Sequence, residues 1–295
     1  MPCAFITGAA GQDGSYLAEL LRGKKYEVIA PGRAECDVTD AAAVGRALRA
    51  AAPDEVYHLA AVSHVGQAAQ DPAAMLAVNF QGTVNLIHGL REDCPRARLF
   101  FASSSEVFGR PDQVPQNEET PFAPVTIYGE SKARATLAIR QARADGLFAA
   151  SGILYNHESP RRGEVFVTRK ICRAVAAIKA GRQQDLSLGD TTARRDWGDA
   201  RDYVLGMWLA LQHPQPEDFV FATGELHSVQ DVVEIAFATA QLDWRGHVRV
   251  DASLMRPAEP ARLVGDASKA RRLLGWSPRA SFRSLIEEMT RAELA

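Results

Sequence analysis

The chain has 295 residues, 46% of them hydrophobic, and a formal net charge of -2. That length suits one large domain or two closely joined ones with ample core, and the balanced charge gives no reason to expect nucleic acid or an anionic membrane as partner. No apolar run approaches the roughly 20 residues of a membrane span.

The N-terminus enters a strand at residues 4–7 without a signal peptide, and Cys3, Cys36, Cys94 and Cys172 are scattered without C-x-x-C or zinc spacing. Both features predict a cytoplasmic protein with reduced thiols and no metal site. Thr7-Gly8-Ala9-Ala10-Gly11-Gln12-Asp13-Gly14 then joins the strand to a helix carrying Leu17, Leu20 and Leu21. Glycines let the backbone turn tightly and let a pyrophosphate approach the helix N-terminus, where N–H groups and the dipole favour anions. The spacing is G-x-x-G-x-x-G, a variant of the dinucleotide fingerprint.

The next strand, 26–30, ends in Ala30-Pro31-Gly32-Arg33. An acid usually stands here to hold the ribose hydroxyls of NAD. Arg33 without a competing carboxylate suits a 2′-phosphate instead, which favours NADP; its other reading is a solvated loop charge. Asp37, followed by Val38, has two readings: an acceptor for the adenine amino group, or a cap for the helix starting near Asp40.

Strands at 55–60, 98–103 and 148–155 alternate with helices at 75–90 and 127–144. Such alternation predicts βαβ units in a parallel sheet with helices on both faces. Beyond residue 156 the pattern is mixed. Helices at 166–180 and 199–212 precede a short strand at 218–222, and helices at 229–240, 267–274 and 282–294 close the chain. The expected class is α/β, a Rossmann-type doubly wound parallel sheet with a smaller mixed α/β lobe. The first unit is expected over 1–155 with a returning segment at about 193–222, and the lobe over 156–192 and 223–295.

Tyr128 and Lys132 stand four apart in the helix at 127–144, on one face. An ammonium near a phenol stabilises the phenolate, so the spacing predicts a tyrosine drawn down from about 10 towards neutrality, where it can act as acid or base. The pair follows the strand ending Ser103-Ser104-Ser105-Glu106. Glu106 alone is a strand-end charge; beside the serines and the glycine loop it is a candidate acid or base. His58, His88 and His213 are read as structural or surface residues, and Trp197 and Trp208 as core.

With these pieces in place the chain resembles the extended short-chain dehydrogenase/reductase family and, within it, the GDP-mannose 4,6-dehydratases. The diagnostic runs are Gly11-Gln12-Asp13-Gly14-Ser15-Tyr16-Leu17, His58 through Val65, and Tyr155-Asn156-His157-Glu158-Ser159-Pro160-Arg161-Arg162-Gly163-Glu164. Phe166 through Lys170, Arg195-Asp196-Trp197-Gly198 and Arg256-Pro257-Ala258-Glu259 complete the set. The resemblance implies catalytic roles for Ser104, Glu106, Tyr128 and Lys132. It implies NADP contacts at Gly8, Gly11, Gln12, Asp13, Gly14, Arg33, Asp37, Val38, Leu59, Ala60, Ala61, Ser63, Tyr128, Lys132, His157 and Arg162. A GDP-sugar is implied at Ser63, Ser104, Glu106, Asn156, Val167, Lys170, Arg195, Arg256 and Glu259, where arginine forks suit a diphosphate.

The implied reaction is an internal redox cycle that turns GDP-mannose, or a relative such as a GDP-heptose, into the 4-keto-6-deoxy sugar. The rivals are a GDP-4-keto-6-deoxymannose reductase, a nucleotide-sugar epimerase and a non-catalytic NADP sensor. Family members carry a long arginine- and serine-bearing loop after the second strand that reaches a neighbouring subunit. Here Cys36-Asp37-Val38 follows Arg33 almost at once, which implies a homodimer paired through helices at 72–92 and 127–146. The segment from Trp244 to Arg256 is also short, and Phe108 replaces a family tyrosine, read as a packing change.

Overall fold

The computed structural model describes residues 1–63, 71–255 and 263–295. β1 (Cys3–Thr7), β2 (Glu27–Ile29), β3 (Glu55–His58), β4 (Arg98–Ser104), β5 (Ala149–Leu154) and, far along the chain, β10 (Asp218–Phe221) form one sheet in the order β10-β5-β4-β3-β1-β2. All five pairings are parallel. The chain runs outward from β1 to β2, then crosses back to lay β3 on the other side of β1. This reversal opens a crevice at the carboxyl ends of the strands, the usual ligand site of doubly wound sheets. The three-residue β2 is one edge of the sheet.

Alternate strand residues supply two separate cores, as the pleat requires. On one face Ile6, Tyr57, Phe100 and Phe219 pack against α1 (Gln12–Gly23) and α7 (Ala200–Gln212), with Trp276 buried among them. On the other, Phe5, Val56, Leu99 and Phe101 pack against α2 (Ala41–Ala51), α4 (Gly82–Asp93) and α5 (Ile127–Ala144). Each large side chain so buried contributes about 1.5–3 kcal/mol before the entropy of ordering it. A third core joins α6 (Val167–Lys179), α8 (Val229–Thr239) and α10 (Phe282–Leu294), with Trp197 stacked on Phe282 at 5.8 Å between ring centroids.

Three two-stranded pieces stitch this lobe together. β6 (Asn156–Glu158) pairs with β9 (Trp197–Asp199), β7 (Leu186–Leu188) with β12 (Val248–Val250), and β8 (Arg194–Arg195) with β11 (His227–Ser228). β6 leaves directly from the end of β5, and β9 feeds α7 back onto the sheet, so the lobe sits over the crevice. α9 (Ser268–Leu274) packs near β10. Among the described residues no helix is long and apolar enough to cross a membrane.

The helix expected at 75–90 is broken. α3 (Pro72–Leu76) passes through a π-helical turn at Ala77–Gln81 before α4 begins. The turn serves Asn79, which is buried. Its Oδ1 accepts the Val62 N–H at 2.8 Å, and its Nδ2 donates to the Val62 carbonyl at 3.1 Å and to Ser131 Oγ at 3.0 Å. One extra residue in the helix thus ties the strand-end loop to α5, and π-turns of this kind recur at functional sites.

Candidate active site

The glycine loop owes its shape to contacts that exclude a side chain. Gly8 has a φ of +76°, and a Cβ there would lie 2.6 Å from the Ala60 nitrogen. A Cβ on Gly14 would lie 2.4 Å from the Gly8 carbonyl oxygen and 2.5 Å from the Ala9 Cα. α1 therefore starts hard against β1, and no side chain caps it at Gly11. Its first turn opens on a cleft of about 1080 Å³ also lined by Leu59, Ala60, Ala61 and Ser63. A bare helix N-terminus in a glycine cradle fits a dinucleotide pyrophosphate.

The second-strand end does not match the sequence reading. Arg33 is not without a carboxylate: its Nε pairs with Asp37 at 3.0 Å, in solvent. Asp37 does not cap α2, because Asp40 accepts the Ala42 and Ala43 N–H groups in that role. Asp37 instead folds onto Thr39, whose N–H and hydroxyl bond it at 3.0 and 2.7 Å; with Arg33 these hold its carboxyl down at about 2. Val38 is buried against Gly82. None of these three lines the cleft.

β4 delivers Ser104 and Glu106 to the cleft, and α5 delivers Tyr128 and Lys132. Ser104 caps a short 3-10 turn, accepting the Glu106 N–H at 3.3 Å, and its hydroxyl favours ionisation of the Tyr128 phenol. The elements meet this closely because Gly129 has no side chain: a Cβ there would lie 2.4 Å from the Glu106 carbonyl oxygen. Thr126 caps α5 by accepting the Gly129 N–H at 2.9 Å.

The expected lowering of the Tyr128 pKa is not found. Burial pushes the phenol up to about 12; Ser104 opposes this, Glu106 adds to it, and Arg162 opposes it. Lys132 Nζ instead donates to the Ala102 carbonyl at 2.8 Å and lies 4.9 Å above the Phe101 ring. Sharing a helix face did not make the two side chains meet.

Burial brings Lys132 down to about 8. Its folded pKa thus lies below the unfolded value, so the unfolded chain binds the proton more tightly. The cost is fully present below pH 8 and fades as pH climbs towards the ordinary lysine value of about 10.4. Lys132→Met is accordingly expected to stabilise the fold at pH 7 by roughly 1–2 kcal/mol, the relief of the buried charge outweighing the lost hydrogen bond. Urea unfolding checks this, and a lower midpoint than wild type refutes it.

His157 places both ring nitrogens on acceptors: Nδ1 on the Tyr155 carbonyl at 2.7 Å and Nε2 on Asp13 Oδ2 at 2.8 Å. Burial opposes a charged ring, but Asp13 outweighs it and raises the His157 pKa. Asp13 moves down in turn, burial being overcome by His157. The ring lies on Tyr203, with centroids 4.6 Å apart. Arg162 lies over Phe166 at 3.5 Å and pairs with the buried Glu158 at 3.1 Å.

On the lobe side Asn156, Val167, Lys170 and Arg195 line the same cleft, and Lys170 donates to the Ser187 carbonyl at 2.8 Å. Arg256 and Glu259 lie outside the described residues, as do His64 and Val65. The sequence reading missed Leu188, Gly189, Asp190 and Val229 on this side, and took Trp197 as core alone; it lines the cleft as well. Gly189 carried a signal, since a Cβ there would meet the Leu254 carbonyl at 2.6 Å. Phe108 is buried against Phe122 and Tyr155. His58 is buried between the hydroxyls of Thr7 and Thr83 and is held by burial at about 3.

A family profile described as GDP-mannose 4,6 dehydratase matches residues 32–289. GDP-mannose 4,6 dehydratase 2 of Arabidopsis thaliana is 43% identical, with 99% of this chain and 86% of the relative covered. The human GDP-mannose 4,6 dehydratase is 40% identical, with 99% and 91% covered. The Arabidopsis alignment spans 323 positions against 295 residues here, so the relative carries segments that this chain lacks. Among solved structures, that of RMD from Pseudomonas aeruginosa complexed with NADPH has a TM-score of 0.90 at 25% identity, covering 100% of this chain and 99% of that one. The dTDP-glucose 4,6-dehydratase DesIV from Streptomyces venezuelae, solved with NAD, has a TM-score of 0.87 at 26% identity, covering 98% and 96%. On its sequence, over nearly its whole length, the chain belongs to the GDP-mannose 4,6-dehydratase family.

Proposed function

We propose that the protein is an NADP-dependent hydro-lyase that converts GDP-mannose, or a closely related GDP-sugar, to the GDP-4-keto-6-deoxy sugar. The observation that carries this reading is the convergence of a phenol, a hydroxyl and a carboxylate, from Tyr128, Ser104 and Glu106, on one cleft beside a glycine cradle. The 43% identity to a GDP-mannose 4,6 dehydratase over nearly the full chain supports dehydration over simple reduction.

NADP would be held by Gly8, Gly11, Asp13 and Gly14 at the pyrophosphate, by Leu59 to Ser63 along the strand ends, and by Lys132, His157 and Arg162 towards the nicotinamide. Its contribution is to keep the C4 hydride and return it at C6. Tyr128, whose ionisation Ser104 favours, takes the proton from the sugar O4. The resulting 4-ketone acidifies the C5–H, which Glu106 removes; Glu106 then gives that proton to the departing C6 hydroxyl, and as the hydride returns to C6 a proton from solvent restores the C5–H, balancing the one Tyr128 took from O4. Asn156, Val167, Lys170 and Arg195, with Arg256 and Glu259, would hold the GDP moiety.

The residues that line the cleft support a division of labour. A cofactor-binding unit over 1–155, with the returning segment 193–222, works under a nucleotide-sugar lobe over 156–192 and 223–295. A cytoplasmic homodimer paired through α3, α4 and α5 completes the proposal, supported by Leu137, exposed on α5.

The test is incubation with GDP-, dTDP-, UDP- and CDP-sugars and substoichiometric NADP+, with sedimentation reporting the dimer. Loss of one water from GDP-mannose with no net change in the cofactor is the expected result. Stoichiometric NADPH consumption with a 4-keto sugar would make the protein a reductase.

A further inference from the structure

β6 does not belong to the main sheet, and its three-residue pairing with β9 is a slight anchor for the segment that runs on to Lys170. What registers it is the first helix. Gln12 spends both ends of its amide there: Nε2 donates to the His157 carbonyl at 3.0 Å, and Oε1 accepts the Ser159 hydroxyl at 2.8 Å. Ser159 is fully buried, and its Oγ also accepts the Arg161 N–H at 3.0 Å. Arg161 then lies over the Tyr16 ring at 4.0 Å and bonds Ser15 and Glu19 at 3.1 and 2.7 Å. The Asp13–His157 pair closes the same seam.

We infer that Gln12 and Ser159 are positioning residues that lock the nucleotide-sugar segment, from Asn156 onward, onto the helix that cradles the cofactor. Gln12 lines the cleft while both its donor and its acceptor are engaged within the protein. The two signature runs of the sequence bind each other, and the floor of one ligand site becomes the wall of the other. The inference takes the ligand's identity from the proposed function; the lock itself stands on the geometry.

The experiment is a double-mutant cycle with Ser159→Ala and Gln12→Met, read by calorimetry with GDP in saturating NADP and with NADP alone. Each single change is expected to weaken GDP about tenfold, and the double variant by less than the two losses combined, because the changes share the Gln12–Ser159 bond. Ser159→Ala is expected to leave NADP affinity within about twofold and to speed amide hydrogen exchange over residues 156–166. Additive losses, equal weakening of NADP and GDP by Ser159→Ala, or unaltered exchange overturn the lock. A wild type that binds NADP and not GDP refutes the proposed function instead, and the exchange measurement still decides the lock.

Discussion

Tyr128→Phe lowers turnover of GDP-mannose about 10²–10⁴-fold, the usual worth of a placed proton-transfer group, while GDP binds as tightly as before. The change deletes one phenol oxygen and leaves the α5 cap at Thr126 untouched, so the loss is chemical. A pH series sharpens it. The phenol is pushed up to about 12, so its ionised fraction grows with every step of pH below that value. Wild-type turnover should therefore rise from pH 6 towards pH 8, and this rise should vanish in the variant. Above about 8 Lys132 gives up its proton and withdraws positive charge from the site. Turnover in the variant above a tenth of the wild-type value would remove Tyr128 from the reaction.

Glu106→Gln separates the two halves of the cycle. The variant keeps side-chain shape, and the main-chain N–H that bonds Ser104 is unaffected, so the Ser104 cap survives. What is lost is a carboxylate able to take a proton from C5 and return it to the C6 hydroxyl. Water loss should fall about 10²–10⁴-fold. In deuterated water, sugar recovered from the variant should carry no deuterium at C5, whereas wild-type product carries it. Dehydration at the wild-type rate would show that another group moves this proton.

The sheet was readable because β1, β3, β4 and β5 are buried runs bounded by turn residues, and the helix at 127–144 matches its sequence boundaries residue for residue. The break at Ala77–Gln81 was not readable: it exists to aim Asn79 at Val62 and Ser131, a tertiary demand that periodicity does not carry. β6, β8 and β11 are two or three residues long, too short for alternation to register. The residues of the site were legible as motifs, whereas their electrostatics were not. Tyr128 and Lys132 share a face, but a long flexible side chain goes to its best acceptor, and for Lys132 that is the Ala102 carbonyl. Arg33 likewise found Asp37, four residues on, a partner that a search for strand-end acids passes over.

The contact between Gly129 and the Glu106 carbonyl is made by main chain on both sides. Position 106 can therefore exchange its side chain without shifting the phenol one residue upstream of Gly129. In the proposed cycle the fold would thus work as a socket with one interchangeable pin: the hydride-transfer geometry would stay fixed while residue 106 would select what becomes of the ketone. On that proposal, new nucleotide-sugar chemistries would arise by point changes at 106, whereas a side chain at 129 would pry the helix off the strand and end them all.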